Sequence, residues 1–409
     1  MALTLPVHIS KASLTFVAEA VGNVLQLQTR NSHLVRKLLC TEGFSTTFGS
    51  AYQSRQNSSK SRQISVGVVG AGGIASSVHI PNILSNHRIQ LRWIVENKLE
   101  TIETVQKSLY TEVSFHTSEH LESLLDDSSI AAVFVLTPTP EHRDIVLSAL
   151  RQGKAVFTEQ PAAENAADIQ TLYDTAASVG RPLLTGFNRR YDPSYRHVYD
   201  CYKDGQLGKL QLCRLTVRDS PKPSHELMPT MDTNECNILS DIAVHDFDFM
   251  AWIMKCAAPE SIHVVAHAHD PVAVEKGQPD VSIVTMKYPD GVICLLDSAR
   301  ESCYGHDFRV ELFGSQGMGS FDNPPLSLTT KKLDIGALQK PMMHTFTQRF
   351  SDSFEIQLNH FLDCVEGKCS PCVTKDECVL TALMIEAAVE SYKQNKVINF
   401  QEFVSNRDV

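Results

Sequence analysis

A chain of 409 residues with 43% hydrophobic content is globular and long enough for two domains. Its net charge of −10 argues against non-specific nucleic-acid binding, and no uncharged apolar run is long enough to cross a membrane. Eleven scattered cysteines, several inside apolar runs (Cys213, Cys256, Cys294), suit buried thiols in a reducing compartment better than a disulfide framework.

The first 63 residues stand apart: they hold seven bases against two acids, Glu19 and Glu42, and end in a Ser/Thr/Gln-rich stretch. An acid-poor leader of this kind suits an organelle transit peptide. An unprocessed disordered extension or a misassigned start codon fits equally. The compartment is accordingly read as mitochondrial or cytoplasmic.

Ordered structure is expected from Ile64. Val66 to Val69 reads as a buried strand, and Gly70-Ala-Gly72-Gly73-Ile74-Ala75 follows as GxGxxA before a helical stretch. Gly70 permits the tight turn, Gly72 lets backbone approach a pyrophosphate, and Ala75 lets the helix pack on the strand. The helix N-terminus then offers free N–H groups to phosphate. A second strand ends at Glu96, where a carboxylate can bind the adenosine ribose hydroxyls and repel a 2′-phosphate. NAD is therefore expected over NADP. Ile130 to Leu136 is a continuous apolar strand broken by Thr137-Pro138-Thr139-Pro140, and Lys154 to Phe157 is another, followed by Glu159-Gln160-Pro161. This alternation predicts a doubly wound parallel sheet over 64–186, with ligands beyond the strand C-terminal ends, where Thr137, Pro138, Glu159 and Gln160 lie.

Residues 187–402 read differently. Strand-like segments at Lys209–Ser220, Glu260–Asp270, Val281–Ala299 and His306–Phe321, with a Pro289-Asp290-Gly291 turn, are followed by two amphipathic helices. A tail of 403–409 closes the chain. Asp241 and His245 are four apart on an expected helix, hence on one face, and His245 is the natural general base for a hydroxyl proton. Asp241 is expected to orient the imidazole or bind a neighbouring hydroxyl. Cys364, Cys369, Cys372 and Cys378 have C-x4-C-x2-C-x5-C spacing, which zinc or an iron–sulfur cluster can use. Two of them fall within apparent helices, so free thiols and no metal are the expectation. The segment Ser220–Leu239 is a loop that suits either a lid or an insertion.

Several motifs in order resemble those of the Gfo/Idh/MocA oxidoreductases, with inositol 2-dehydrogenase and related polyol dehydrogenases the nearest likeness. These are Gly70–Ala75 with His79-Ile80-Pro81, Thr137 to His142, Thr158 to Pro161, Thr185 to Pro193 and Ser240 to Ile253. The resemblance implies a Rossmann domain followed by an α+β domain with a large, mostly antiparallel sheet. It implies cofactor contacts from Gly70, Gly72, Gly73, Ile74, Glu96, Thr137, Pro138, His142, Glu159 and Gln160. Substrate contacts are implied for Arg189, Asp219, Asp241, Tyr304 and His306, with Tyr191 and Arg218 near the same cleft. A small polyol or sugar substrate and a homodimer or homotetramer are implied as well.

One position departs from the family pattern. Where the family carries a catalytic lysine in Glu-Lys-Pro, this chain has Gln160. Amide replaces ammonium, so a donor remains without its charge; losing one electrostatic donor typically costs about 10²–10³ in rate. Relatives without the lysine include an enzyme, biliverdin reductase, and a NAD-binding repressor. The leading expectation is a NAD-dependent dehydrogenase of CH–OH groups using His245, Asp241 and Gln160. A catalytically weakened NAD-binding sensor is the alternative.

Overall fold

A computed structural model describes residues 63–109, 112–220, 237–325, 332–333, 336–337 and 342–407. The expected leader and nearly all of the expected lid loop lie outside the described residues. The described residues make one compact unit organised by two large sheets.

The first sheet contains β1 (Ile64–Val69), β2 (Ile89–Val95), β3 (Ser114–His116), β4 (Ala132–Val135), β5 (Ala155–Thr158) and β6 (Leu183–Thr185). They run parallel in the order β3-β2-β1-β4-β5-β6. Every residue of β4 and β5 is buried, as helices on both faces require. Strand order reverses between β1 and β4, which opens a crevice at their C-terminal ends.

The second sheet contains β7 (Leu210–Arg218), β8 (Ser261–His267), β9 (Val281–Lys287), β10 (Ile293–Ala299), β11 (Asp307–Gly314), β12 (Met318–Phe321) and β13 (Ile398–Asn399). Their order is β12-β11-β7-β10-β9-β8-β13; only the β10–β7 pair is parallel. Burial alternates along β9, so one face is packed and the other open. The helix Lys375–Gln394 covers β8 on the packed side and also lies on the helix Ala166–Val179 of the first sheet. A Thr374/Glu377 capping box starts it and Asn395, at φ 48°, ends it. The helix Ser351–Val365 sets Phe361 against Phe134 and Phe157 at 5.3 and 5.8 Å between ring centroids. C-terminal helices thus return to the first sheet. The expected 403–409 tail starts inside a further helix, Phe400–Ser405.

Candidate active site

At the end of β1 the turn is fixed by Gly70, whose φ is +91° and where a Cβ would lie 2.8 Å from the Leu136 and Thr137 backbone. Only glycine lets β1 and β4 close up in this way. Around Gly72 and Gly73 the opposite holds: nothing lies within 4 Å of a built Cβ. Open space beside a glycine turn and a helix start is what a pyrophosphate needs, so the residues present fit a dinucleotide. That helix contains a π-turn over Ala75–His79, a distortion that brings His79 inward. Glu96 closes the far side: its Oε2 accepts the Ala71 N–H at 2.9 Å and its Oε1 accepts those of Asn97 and Lys98. The carboxylate is thereby tied to the glycine loop.

Further along the strand ends, His142 is buried between two carbonyls, Nε2 at 2.7 Å from Thr137 O and Nδ1 at 2.8 Å from Pro161 O. It staples the β4 turn to the β5 turn. Glu159 contacts His79 Nε2 through Oε1 at 2.6 Å and accepts the Gln160 N–H through Oε2 at 3.1 Å. Gly186 allows this, because a Cβ there would stand 2.9 Å from the Glu159 carboxylate.

A cleft of about 350 Å³ opens beside these turns. Ile74, Thr137, Pro138, Thr139, His142, Glu159 and Gln160 line it from the first half of the unit, and Asn188, Arg189, Asp219, Asp241, His245 and His306 from the second. Gln160 Nε2 is 3.3 Å from His245 Nε2. With the amide nitrogen facing the ring, Nε2 accepts and the ring proton sits on Nδ1, which is buried without a partner. Burial, reinforced by the Arg189 charge, holds the His245 imidazole well below its usual range, so it is a neutral base at pH 7.

Not every expected residue arrives as the sequence suggested. The helix expected through Asp241 and His245 is broken: Asn237–Asp241 and Val244–Ile253 are separate, with a turn at Ile242–Ala243. Both side chains still reach the cleft, but Asp241 pairs with Arg300 at 2.8 Å and does not orient the imidazole. Tyr304 is absent from the cleft wall; its hydroxyl donates to Asp307 at 2.7 Å and accepts from Arg218. Strand alternation explains this: Val217 and Asp219 face the cleft, so Arg218 between them faces the other side and pairs with Asp297. Tyr191 also turns away, accepting from the Cys372 thiol at 3.1 Å. His306 is buried in the cleft with Nε2 at 2.8 Å from Asp219, although the approach is too oblique for a hydrogen bond. Arg189 spends one nitrogen on buried Asp246 at 2.5 Å and stacks 4.9 Å from the Phe308 ring.

An aromatic wall was missed. Phe346, Phe350 and Phe354 line the cleft with Phe308. Their four-residue spacing is a one-face signal running from the short helix Phe346–Arg349 into the helix Ser351–Val365, and it was available in the sequence. His79, though part of a quoted motif, gave no hint that it would grip Glu159.

Family models match the chain twice: "Oxidoreductase family, NAD-binding Rossmann fold" over 64–187 and "GFO/IDH/MocA C-terminal domain" over 195–320. The chain belongs to the Gfo/Idh/MocA oxidoreductase family. Among curated Gfo/Idh/MocA relatives, myo-inositol 2-dehydrogenase of Thermotoga maritima is 26% identical over 83% of this chain and 99% of its own length. Inositol 2-dehydrogenase of Rhizobium meliloti is 26% identical over 81% of this chain and 98% of its own. A solved structure of Lactobacillus casei scyllo-inositol dehydrogenase with NAD(H) and scyllo-inositol shares the fold, with a TM-score of 0.75 at 22% identity over 83% of this chain and all of that one. No helix among the described residues is long and apolar enough to cross a membrane.

Proposed function

We propose that the chain is a NAD-dependent dehydrogenase oxidising a CH–OH group of a cyclic polyol or sugar, with His245 as the base. The observation that carries this reading is a buried imidazole whose Nε2 faces the Gln160 amide across the cleft at 3.3 Å. Gly70, Gly72, Gly73, Ile74, Thr137, Pro138, His142 and Glu159 would hold the dinucleotide, with Glu96 at its ribose. The cofactor, when bound, supplies the hydride acceptor. Substrate hydroxyl then displaces the Gln160 N–H from His245 Nε2 and donates its proton there, while the freed amide donates to the same oxygen. Asp219, Asp241, Arg189 and His306 supply polar contacts for the remaining hydroxyls. Phe346, Phe350 and Phe354 suit the C–H face of a ring, which is the pattern a cyclitol or pyranose presents. Two inositol dehydrogenases among the full-length relatives support the substrate class.

The second reading, a NAD-binding sensor with weakened chemistry, is favoured by Gln160 alone. Calorimetric titration with NAD, then a panel of inositols and sugars followed at the nicotinamide absorbance, separates the two. Turnover with any cyclic polyol or sugar supports the enzyme; NAD binding without turnover across the panel supports the sensor. Absence of NAD binding removes both.

We also infer self-association through the open face of the second sheet. By register, Val265 pairs with Ile283 there, and Ile293, Leu212, Phe313 and Met318 form an apolar row across four strands. Ion pairs of both signs, Arg214–Glu311 and Lys287–Glu260, lie beside them, so the face is complementary to a second copy of itself.

A further inference from the structure

The four cysteines near the C-terminus do not assemble as a set. Cys378 lies 3.2 Å from the Tyr173 hydroxyl, and Cys372 points its thiol at Tyr191. What the fold does bring together is Cys364, Cys369 and His360. Cys364 is buried at the end of the helix Ser351–Val365, and Cys369 is exposed on the turn that follows. Their sulfurs are 3.6 Å apart, and no disulfide joins them. A sulfur–sulfur bond is about 2.05 Å long, so a modest shift of the exposed turn closes the gap. His360 stands between the two thiols, Nε2 at 3.6 Å from Cys364 Sγ and Nδ1 at 3.8 Å from Cys369 Sγ. Nε2 also accepts the Cys372 backbone N–H at 3.1 Å. That bond leaves the ring proton on Nδ1, aimed at Cys369.

We propose that Cys364 and Cys369 form a modification site, in which a hydroperoxide oxidises Cys369 and Cys364 resolves it to an intramolecular disulfide. The Cys369 thiolate attacks the distal peroxide oxygen. The O–O bond breaks, a proton is taken up and one alcohol or water leaves, giving a sulfenic acid. Cys364 sulfur then attacks Cys369 sulfur; the S–S bond forms, the S–O bond breaks, and the Cys364 proton leaves with hydroxide as water. Both sulfurs are oxidised and the peroxide is reduced. Exposure selects Cys369 as the attacking thiol, with the His360 Nδ1–H directed at its sulfur. Burial pushes the Cys364 thiol up to about 12, which suits a resolving group that reacts only when a partner has been activated beside it.

The same three groups are spaced for a thiophilic cation, but His360 argues against one. Its free lone pair is already used by the Cys372 amide, and coordination through Nδ1 would move the ring proton to Nε2, against that N–H.

The test uses the full chain, reduced and freed of reductant, then treated with stoichiometric hydrogen peroxide and mapped by peptide mass spectrometry after alkylation. A Cys364–Cys369 cross-link should appear, with loss of two alkylatable thiols that returns on reduction. Cys369→Ser, a surface change, should lose the cross-link; Cys364→Ser should leave a sulfenic acid at Cys369 that a dimedone probe traps. Cys303→Ser, another exposed thiol outside the cluster, should behave as wild type. The proposal is overturned by a Cys369–Cys372 link in place of Cys364–Cys369, or by equal cross-linking rates in the folded and urea-unfolded chain. One equivalent of zinc in the isolated protein, shielding both thiols, overturns it too.

Discussion

Gln160 and His245 meet across the cleft through a neutral donor and a neutral acceptor, and the proposed chemistry turns on that pair. Replacing His245 by Ala should cut turnover by about 10²–10⁴, the span of a general base, while NAD affinity measured by calorimetry stays within about twofold. NAD affinity that falls with the turnover would instead make His245 a structural residue. Because burial lowers the His245 pKa below 6.5, the base stays unprotonated as pH falls through that value. The acid limb of the rate profile should therefore lie well below 6.5, and a limb centred at the ordinary histidine value would contradict the enclosed ring. Gln160→Lys restores an ammonium at the β5 turn, where Glu159 and His142 keep the backbone in place, and should raise kcat by up to about 10²–10³ on the true substrate. A drop in kcat would mean that the cleft has adapted to the amide. At the other end of the cofactor, Glu96→Ala should weaken NAD relative to NADP, because the variant no longer repels a 2′-phosphate. Wild-type protein that prefers NADP would refute that role for the carboxylate.

Between the two sheets, the 3-10 turn Asn188–Tyr191 is clamped to the helix Val244–Ile253 by buried ion pairs. Arg189 holds Asp246, and Arg190 holds Asp248 at 2.6 Å and Glu377 at 2.8 Å. This clamp carries His245 to the cleft, since His245 sits one residue before Asp246. Removing one partner of a buried pair leaves the other charge stranded, so Asp248→Asn should cost about 3–5 kcal/mol in denaturant unfolding. The double change Arg190→Met with Asp248→Leu should cost clearly less than the sum of the single changes. Additive losses would mean that the two groups are not coupled. None of this clamp was legible in the sequence. Arg189 read as a substrate contact through the family resemblance, which carries no sign of its ion pair, and nothing local to Asp246 or Asp248 distinguishes a buried carboxylate from a solvated one. The break at Ile242–Ala243 was equally invisible, since both residues are acceptable in a helix. By contrast, β1, β4 and β5 and the glycine turn were legible, because an apolar run followed by GxGxxA has few other foldings.

For the whole molecule, the architecture follows from which faces are apolar. Continuous apolar runs gave the parallel sheet, and alternation gave the second sheet with one face packed. Alternation also says that the other face is half apolar, but only strand order aligns Ile293, Leu212, Phe313 and Met318 into one row, and strand order is set by long-range pairing that no local pattern encodes. A row of that kind, on a sheet that also exposes Val265 and Ile283, is apolar surface of the sort that suits an interaction face. Self-pairing about a twofold axis would bury it on both copies at once. Sedimentation velocity should therefore find a dimer or a tetramer at micromolar concentration. Ile293→Lys with Phe313→Glu, both at exposed positions and so harmless to the packed face, should shift the chain to monomer while leaving its unfolding midpoint within a few degrees. A wild-type monomer, or an assembly untouched by that double change, would place any subunit contact elsewhere on the surface.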